Sequence, residues 1–280
     1  MEEAVVGPRI GVVVGSGLVV TALLAACAPG AGNAEGLPPE GGFDYQLGGA
    51  YPPPDGVEIV VRDSSVEPEP DLYSVCYVNG FQTQPGDLGF WEERAPDVLL
   101  RDEGGDPVAD PGWPDEYLLD TSTEELRERI AALLDDTIAQ CAEAGYDAVE
   151  FDNLDAYLRS YSALTSDDNL ALATLLVASA HDRGMAAAQK NTVEEAERGK
   201  DEVGFDFAIT ESCAAWSECG GYTRVYGEEN VLAIEYPEDL DEVDTDFDAA
   251  CAVTDTPART ILRDLALVAE SEPGYVYATC

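Results

Sequence analysis

The stretch Tyr146-Asp-Ala-Val-Glu-Phe-Asp-Asn-Leu-Asp-Ala-Tyr157 decides how the chain is read. It opens as a buried strand, with Ala148, Val149 and Phe151 supplying the apolar side chains, and it ends in Asp152, Asn153, Asp155 and Tyr157. Successive strand residues point to opposite faces, so Glu150 and Asp152 share one face and Phe151 takes the other. A strand that delivers carboxylates and an amide at its C-terminal end is how a (β/α)8 barrel builds an active site. The plain alternative is that these acids solvate a loop in a chain rich in acids.

The flanking sequence fits the barrel. Upstream, Leu126, Ile130, Leu133, Leu134 and Ile138 recur at helical spacing, Ser122 with Glu125 reads as a capping box, and Gly145 stops a helix predicted over 123–144. Downstream, a second helix is predicted over 169–182, with Ser166-Asp167-Asp168 at its start and Gly184 past its end. Further strands are predicted over 43–47, 57–61, 72–78, 117–119, 185–189, 205–210, 231–235 and 260–262. Alternating strands and helices in 280 residues give an α/β chain, a single-domain (β/α)8 TIM barrel, a fold that takes about 250 residues. With the 146–152 strand the candidates number one more than a barrel needs, and the first or the last is the natural surplus.

Each apolar run gives way to a polar residue at its C-terminal edge. The endings are Asp63, Asn79, Asp120, Asp152 with Asn153 and Asp155, Lys190 with Asn191, Glu211, and Glu235 with Tyr236. Such a series points to a polar crater at one barrel mouth, suited to a polyhydroxylated substrate. Glycosidic hydrolysis needs one carboxylic acid to protonate the leaving oxygen and a second carboxylate as nucleophile or base. Asp152 and Glu211 end different strands and can face each other, and crowded acids raise one pKa so that one group stays protonated. Glu211 is the expected acid/base and Asp152 its partner. Lys190 can hold a catalytic carboxylate ionised, or be a plain surface lysine. Asp120, Asn153, Asn191 and Glu235 can contact substrate or make structural hydrogen bonds, and Asp155 can bind a sugar or cap the following helix. Tyr157, Tyr236 and Trp216 can stack on sugar faces or serve the core.

Composition excludes several classes. The formal net charge is −43, from 57 Asp and Glu against 14 Lys and Arg, which is the wrong sign for a nucleic-acid partner. At 45% hydrophobic residues the chain is globular, so the charge reads as salt adaptation or as attraction of a cationic substrate. The single histidine, His181, excludes His-based triads and His-rich metal centres. No Gly-rich phosphate loop follows a strand and no Cys-x-x-Cys occurs, so neither nucleotide nor zinc is expected, and no cofactor or metal is assigned.

Residues Ile10 to Ala28 form a nearly charge-free run, and Leu24-Ala25-Ala26-Cys27 resembles the bacterial lipobox, in which the cysteine is lipidated. Glu2 and Glu3 outnumber Arg9 where a positive leader is usual; a retained membrane helix is the alternative. Either reading places the folded part outside the cytoplasm, tethered to a membrane or secreted. The expected organisation is a lipoprotein-type signal over 1–27, a flexible linker over 28–42, and a catalytic domain over 43–280, acting as a monomer. Six further cysteines in an exported chain suggest three disulfides, for which we take Cys213 with Cys219, Cys251 with Cys280, and Cys76 with Cys141.

Glu150-Phe-Asp152-Asn153-Leu-Asp155-Ala-Tyr157, Lys190-Asn191, Thr210-Glu211-Ser-Cys213 and Ile234-Glu235-Tyr236 together resemble glycoside hydrolase family 114. So do the opening Phe43-Asp-Tyr-Gln-Leu47 and the strand end Tyr77-Val-Asn79; the resemblance runs from about Phe43 to Asp264. It implies a (β/α)8 barrel with endo-α-1,4-polygalactosaminidase activity, and by motif its catalytic Asp and Glu fall on Asp152 and Glu211. One departure is Tyr45, where an indole is common in that family. The expected function is therefore a lipid-anchored glycoside hydrolase of an amino-sugar polymer, such as a cationic galactosamine polymer. A lipid-anchored protein that binds oligosaccharide in the same acidic mouth without cleaving it is the alternative from another class. A metal-dependent hydrolase has less support, given the lysine at the site and the lack of histidines.

Overall fold

The computed structural model describes Met1 and residues 36–280; Cys27, the signal region and most of the expected linker lie outside the described residues. Eight parallel strands follow one another in sheet order: β1 (Gly42–Gln46), β2 (Val57–Asp63), β3 (Tyr73–Asn79), β4 (Ala148–Asp152), β5 (Ala186–Lys190), β6 (Phe207–Glu211), β7 (Val231–Glu235) and β8 (Thr260–Arg263). Together with α1 (Leu88–Arg94), α2 (Glu124–Ala144) and α3 (Ser166–Asp182), they form a single-domain TIM barrel. A short β9 (Tyr277–Thr279) runs antiparallel to β8.

Period-2 alternation divides the strands between two cores. Phe43, Tyr45, Ile59, Val61, Val75, Ala148, Phe207, Ile209 and Leu232 fill the barrel interior, while Cys76, Val78, Val149, Phe151 and Ala208 pack outward with α2 and α3. Phe151 is fully buried, and truncating such a side chain to Ala costs about 3–5 kcal/mol. Glu150 and Asp152, on the opposite face from Phe151, are thereby directed inward.

The surplus strand is the fourth candidate, neither the first nor the last. Residues 117–119 make only isolated antiparallel bridges, to Gln82, Leu99 and Ala109, within the long β3–α2 connection. Leu119 donates its backbone N–H to Phe81 O at 2.9 Å, and Leu118 and Leu119 are fully buried. Their apolar run reflects a loop packed on the core rather than a barrel stave.

The cap of α2 also differs from expectation. Thr123, not Ser122, is the N-cap and accepts from Leu126 N, while Ser122 Oγ donates to Asp120 at 2.5 Å. α3 starts at Ser166, earlier than predicted, behind a capping box of Thr165 and Asp168. Gly145 ends α2 at φ 97°, a left-handed conformation that glycine takes without steric cost.

The seam between β8 and β1 is bridged by Arg263. Its buried guanidinium donates from NH1 to Asp44 Oδ1 at 2.9 Å and to Tyr45 O, and from Nε to Val276 O at 3.0 Å. Tyr277 of β9 donates its hydroxyl to Phe43 O at 3.0 Å. The three expected disulfides, Cys76–Cys141, Cys213–Cys219 and Cys251–Cys280, are all formed. At the N-terminal end of the strands, Leu37 packs against the interior core and Gly36 O accepts from the hydroxyl of Tyr73, the first residue of β3, so the end of the expected linker lies docked on the barrel.

Candidate active site

The C-terminal ends of β1, β3, β4, β5, β6 and β7 converge on one buried ammonium. Lys190 Nζ lies 3.2 Å from Glu150 Oε1, 3.4 Å from Asp152 Oδ1 and 3.2 Å from Glu211 Oε2, and donates to the Tyr45 hydroxyl at 3.0 Å. Tyr45 in turn donates to Glu150 Oε1 at 2.8 Å. Tyr77 donates to Asp152 Oδ2 at 2.6 Å and Tyr236 to Glu211 Oε1 at 2.5 Å. Burial alone would discharge Lys190, but Asp152, Glu211 and Glu150 outweigh it and hold the ammonium well above the usual lysine range. Burial likewise raises the Tyr45, Tyr77 and Tyr236 hydroxyls, keeping all three as donors.

Of the three carboxylates around Lys190, Glu150 is the most removed from water. Burial pushes it up to about 7 despite the neighbouring Lys190, and its Oε2 is buried without a hydrogen-bond partner. Asp152 and Glu211 are half-buried, open to the cavity and gripped on both oxygens. Each therefore reaches the solvent side of the cluster with its position fixed.

The backbone makes this convergence possible by turning abruptly past the strands. Asn153 (φ 66°), Asn191 (φ 49°) and Ser212 (φ 55°), each directly after a strand, are all left-handed. Asn tolerates that region because its short amide bonds locally, whereas Ser pays more, a cost met where a site over-determines the geometry. Asn191 shows the compensation, accepting Glu211 N–H at 2.8 Å and donating to Glu211 Oε2 at 3.1 Å. Asn153 N–H donates to Asp152 Oδ1 at 2.8 Å.

A second polar layer surrounds the pair. Asn153 Nδ2 donates to Asn79 Oδ1 at 3.0 Å, and Asn79 Nδ2 donates to Glu116 Oε2 at 2.9 Å. Arg159 bonds Asn153 Oδ1 at 2.9 Å, Asp110 Oδ2 at 2.5 Å and Asp155 Oδ2 at 2.8 Å. Burial pushes Glu116 up to about 7.

These groups open on a cavity of about 700 Å³ whose wall includes Asp63, Asp110, Glu116, Asp152, Asp155 and Glu211, set against Lys190 and Arg159, with the half-exposed Trp113 at the edge. Of the residues singled out by sequence, Asp63, Asp152, Asn153, Asp155, Lys190, Asn191, Glu211 and Tyr236 line it. Three others take structural places. Asp120 accepts from Ser122 N and Oγ ahead of α2. Glu235 is fully buried, its two oxygens accepting from Ala214 N at 2.8 Å and Ala215 N at 3.1 Å, which shapes the loop after β6. Tyr157 donates to Glu194 at 3.2 Å. Among the described residues, one group has metal-ligand proximity: Cys213, Cys219 and Glu235, whose two sulfurs are bonded to each other and offer no thiolate.

The sequence singled out Tyr45 only as a departure from the family pattern and Tyr77 only within a strand end, and it assigned no role to Glu116, Asp110 and Arg159. Tyr45 and Tyr77 lie on inward faces of β1 and β3, where alternation along their own strands, from Phe43 and from Val75, could have found them. Glu116 and Asp110 come from a loop whose path no periodicity records, and Arg159 ends a short 3-10 helix, Leu154–Arg159, after β4.

The sequence matches glycoside-hydrolase family GH114 over residues 25–280. No curated protein sequence matches the chain. Among solved structures, it is similar to Ega3 of Aspergillus fumigatus, crystallised as a complex with galactosamine, with 19% identity and a TM-score of 0.66 over 88% of this chain and 96% of that one. It is also similar to the glycoside hydrolase domain of PelA from Pseudomonas aeruginosa, with 16% identity and a TM-score of 0.54 over 84% of this chain and 97% of that one.

Proposed function

The chain belongs to glycoside-hydrolase family GH114 and is a glycoside hydrolase; from that premise we propose that it cleaves α-1,4-galactosaminide linkages inside an amino-sugar polymer, using Asp152 and Glu211. The observation that carries the assignment is the Lys190 ammonium held by both carboxylates, at 3.4 and 3.2 Å, where the pair opens to the cavity. Glu211 takes up a proton from solvent on the cavity side before the step and gives it to the leaving oxygen as the glycosidic C–O bond breaks, while Asp152, beside Lys190, supports the developing positive charge at the sugar carbon as nucleophile or as base for water. Lys190, Tyr77, Tyr236, Asn191 and Asn153 fix the two carboxylates before substrate arrives, so little reorganisation is left to the reaction.

The acidic wall supports an amine-bearing substrate. Asp63, Asp110, Glu116 and Asp155 face the cavity against the single guanidinium of Arg159, and Ega3 was crystallised with galactosamine. An ammonium on the sugar is drawn into such a field, the more so with a net charge of −43 behind it. Asp155, Asn153 and Asn191 are the substrate contacts this reading favours, with Tyr236 beside them. Tyr157, Asp120 and Glu235 act at one remove through the loops they hold.

The same reading includes export, with lipid attached at Cys27 and the catalytic domain outside the cytoplasm. Three disulfides support an oxidising compartment. Among the described residues no helix is long and apolar enough to cross a membrane. The deciding experiment incubates the full chain with partially deacetylated poly-α-1,4-galactosamine and follows new reducing ends. Release of oligosaccharides supports the reading; tight binding of the polymer without new reducing ends would make this an oligosaccharide-binding protein instead.

A further inference from the structure

A second cavity, of about 330 Å³, lies between α1, α2 and the end of β3, and Gln84 lines both it and the catalytic cavity. Its volume sits at the lower end of ligand pockets, about 300–1,000 Å³, which is the scale of one substituted sugar ring. Its chemistry differs from the acidic crater next door. Gln82, Gln84 and Gln140 contribute side-chain amides to a polar lining that also holds Ser64, Asn79 and Thr137. The carboxylates of Asp87 and Asp136 are offset in part by Arg94, whose guanidinium lies 5.2 Å from the centre of the Phe90 ring. Phe90 is 43% exposed and offers a ring face or edge to an incoming sugar.

Gln82 gives the cavity a built feature. It is 1% exposed, its Nε2 donates to Asp110 Oδ2 at 2.7 Å, and its backbone N–H is bonded to Asn79 Oδ1 at 3.2 Å. With the amide fixed by Asp110, the Oε1 is left buried without a partner. That acceptor is closed off from the cavity, so Gln82 serves as a fixed wall, and the amides open to a ligand are those of Gln84 and Gln140. Asp110 also holds Arg159, which holds Asn153 beside Asp152, so the cavity is joined to the catalytic rim by hydrogen bonds as well as by Gln84.

We propose that this cavity is a distal subsite for an uncharged acetamido sugar of the same polymer chain, with Gln84 and Gln140 meeting its amide and hydroxyl groups and Phe90 its ring. The inference rests on the reading of the chain as a hydrolase of amino-sugar polymers. The acidic crater takes free-amine units, and the amide-lined cavity takes an N-acetylated one, so a partially acetylated chain would span both across Gln84.

The test uses full-length Phe90→Ala and Gln140→Ala, both away from the catalytic carboxylates. Partially N-acetylated α-1,4-galactosamine oligosaccharides, long and trimeric, serve as substrates. The proposal predicts that KM for long oligomers rises about tenfold in each variant, a loss of about 1.4 kcal/mol, while kcat and trimer hydrolysis stay unchanged. Equal KM for long oligomers in wild type and both variants would overturn it. A second readout keeps this separate from the catalytic assignment. Long N-acetylated oligomers are titrated into Asp152→Asn and into Asp152→Asn/Phe90→Ala, followed by tryptophan fluorescence, which Trp91 in the cavity wall should report. Weaker binding in the double variant supports the subsite even where no length is cleaved, and identical binding curves contradict it.

Discussion

Glu150→Gln tests the electrostatics of the site without touching the groups that face the cavity. Gln keeps the size of Glu150 and an oxygen for the Tyr45 hydroxyl, which donates at 2.8 Å, but it cannot ionise. In the folded chain burial raises Glu150 from its ordinary 4.5 to about 7. Its folded pKa lies above its unfolded one, so ionisation works against the fold. The penalty is absent below about pH 4.5, grows as pH rises towards 7, and is constant above that. At 1.36 kcal/mol per unit, the full penalty is about 3 kcal/mol. Urea unfolding of wild type and variant, at about pH 4 and about pH 8, measures it. Titration of the acids remote from Glu150 is common to both proteins and cancels in the difference. Whatever fixed cost the extra amide brings is the same at both values. The variant should gain about 3 kcal/mol relative to wild type between the acid and the alkaline measurement. A difference independent of pH would refute the placement of an ionisable, desolvated Glu150 beneath the pair.

Lys190→Met removes the one cation shared by Glu150, Asp152 and Glu211, and at neutral pH should cost about 3–5 kcal/mol by urea unfolding, with activity lost; wild-type stability would contradict a shared ammonium. Replacing both Cys76 and Cys141 with Ala opens a link between residues 65 apart and should cost about 4 kcal/mol, read as a lower urea midpoint at unchanged pH. With a net charge of −43, the thermal midpoint should climb as KCl is raised towards molar concentrations, because screening relieves self-repulsion; a flat response would assign the acidity to substrate attraction instead.

The barrel was legible because its staves are short apolar runs that end on polar residues, and because Glu150, Phe151 and Asp152 declare their faces by alternation. Residues 117–119 misled for the same reason: a buried loop and a buried strand present equal apolar runs, and only the pairing partners distinguish them. β9 was not foreseen, since three residues with partial burial carry no period. At the site, strand-end position identified Asp152, Lys190 and Glu211, whose backbone places them on one rim. It did not separate Glu235, which ends β7 in the same way but turns its carboxylate to the amides of Ala214 and Ala215. Glu116 and Asp110 reach the site from a loop and Arg159 from the short 3-10 helix after β4, and their approach is set by tertiary contacts such as Asn79 to Glu116 and Arg159 to Asp110.

The central claim is that one bond is cleaved by one opposed pair, and the rate of reducing-end release from partially deacetylated poly-α-1,4-galactosamine tests it most directly. Wild type, Asp152→Asn and Glu211→Gln are compared at matched salt, with circular dichroism to establish that each is folded. The account predicts cleavage by wild type and loss of about a thousandfold or more in both folded variants, since neither half of a two-carboxylate mechanism works alone. Near wild-type cleavage by either variant would contradict it and move the chemistry to another pair in the same cavity.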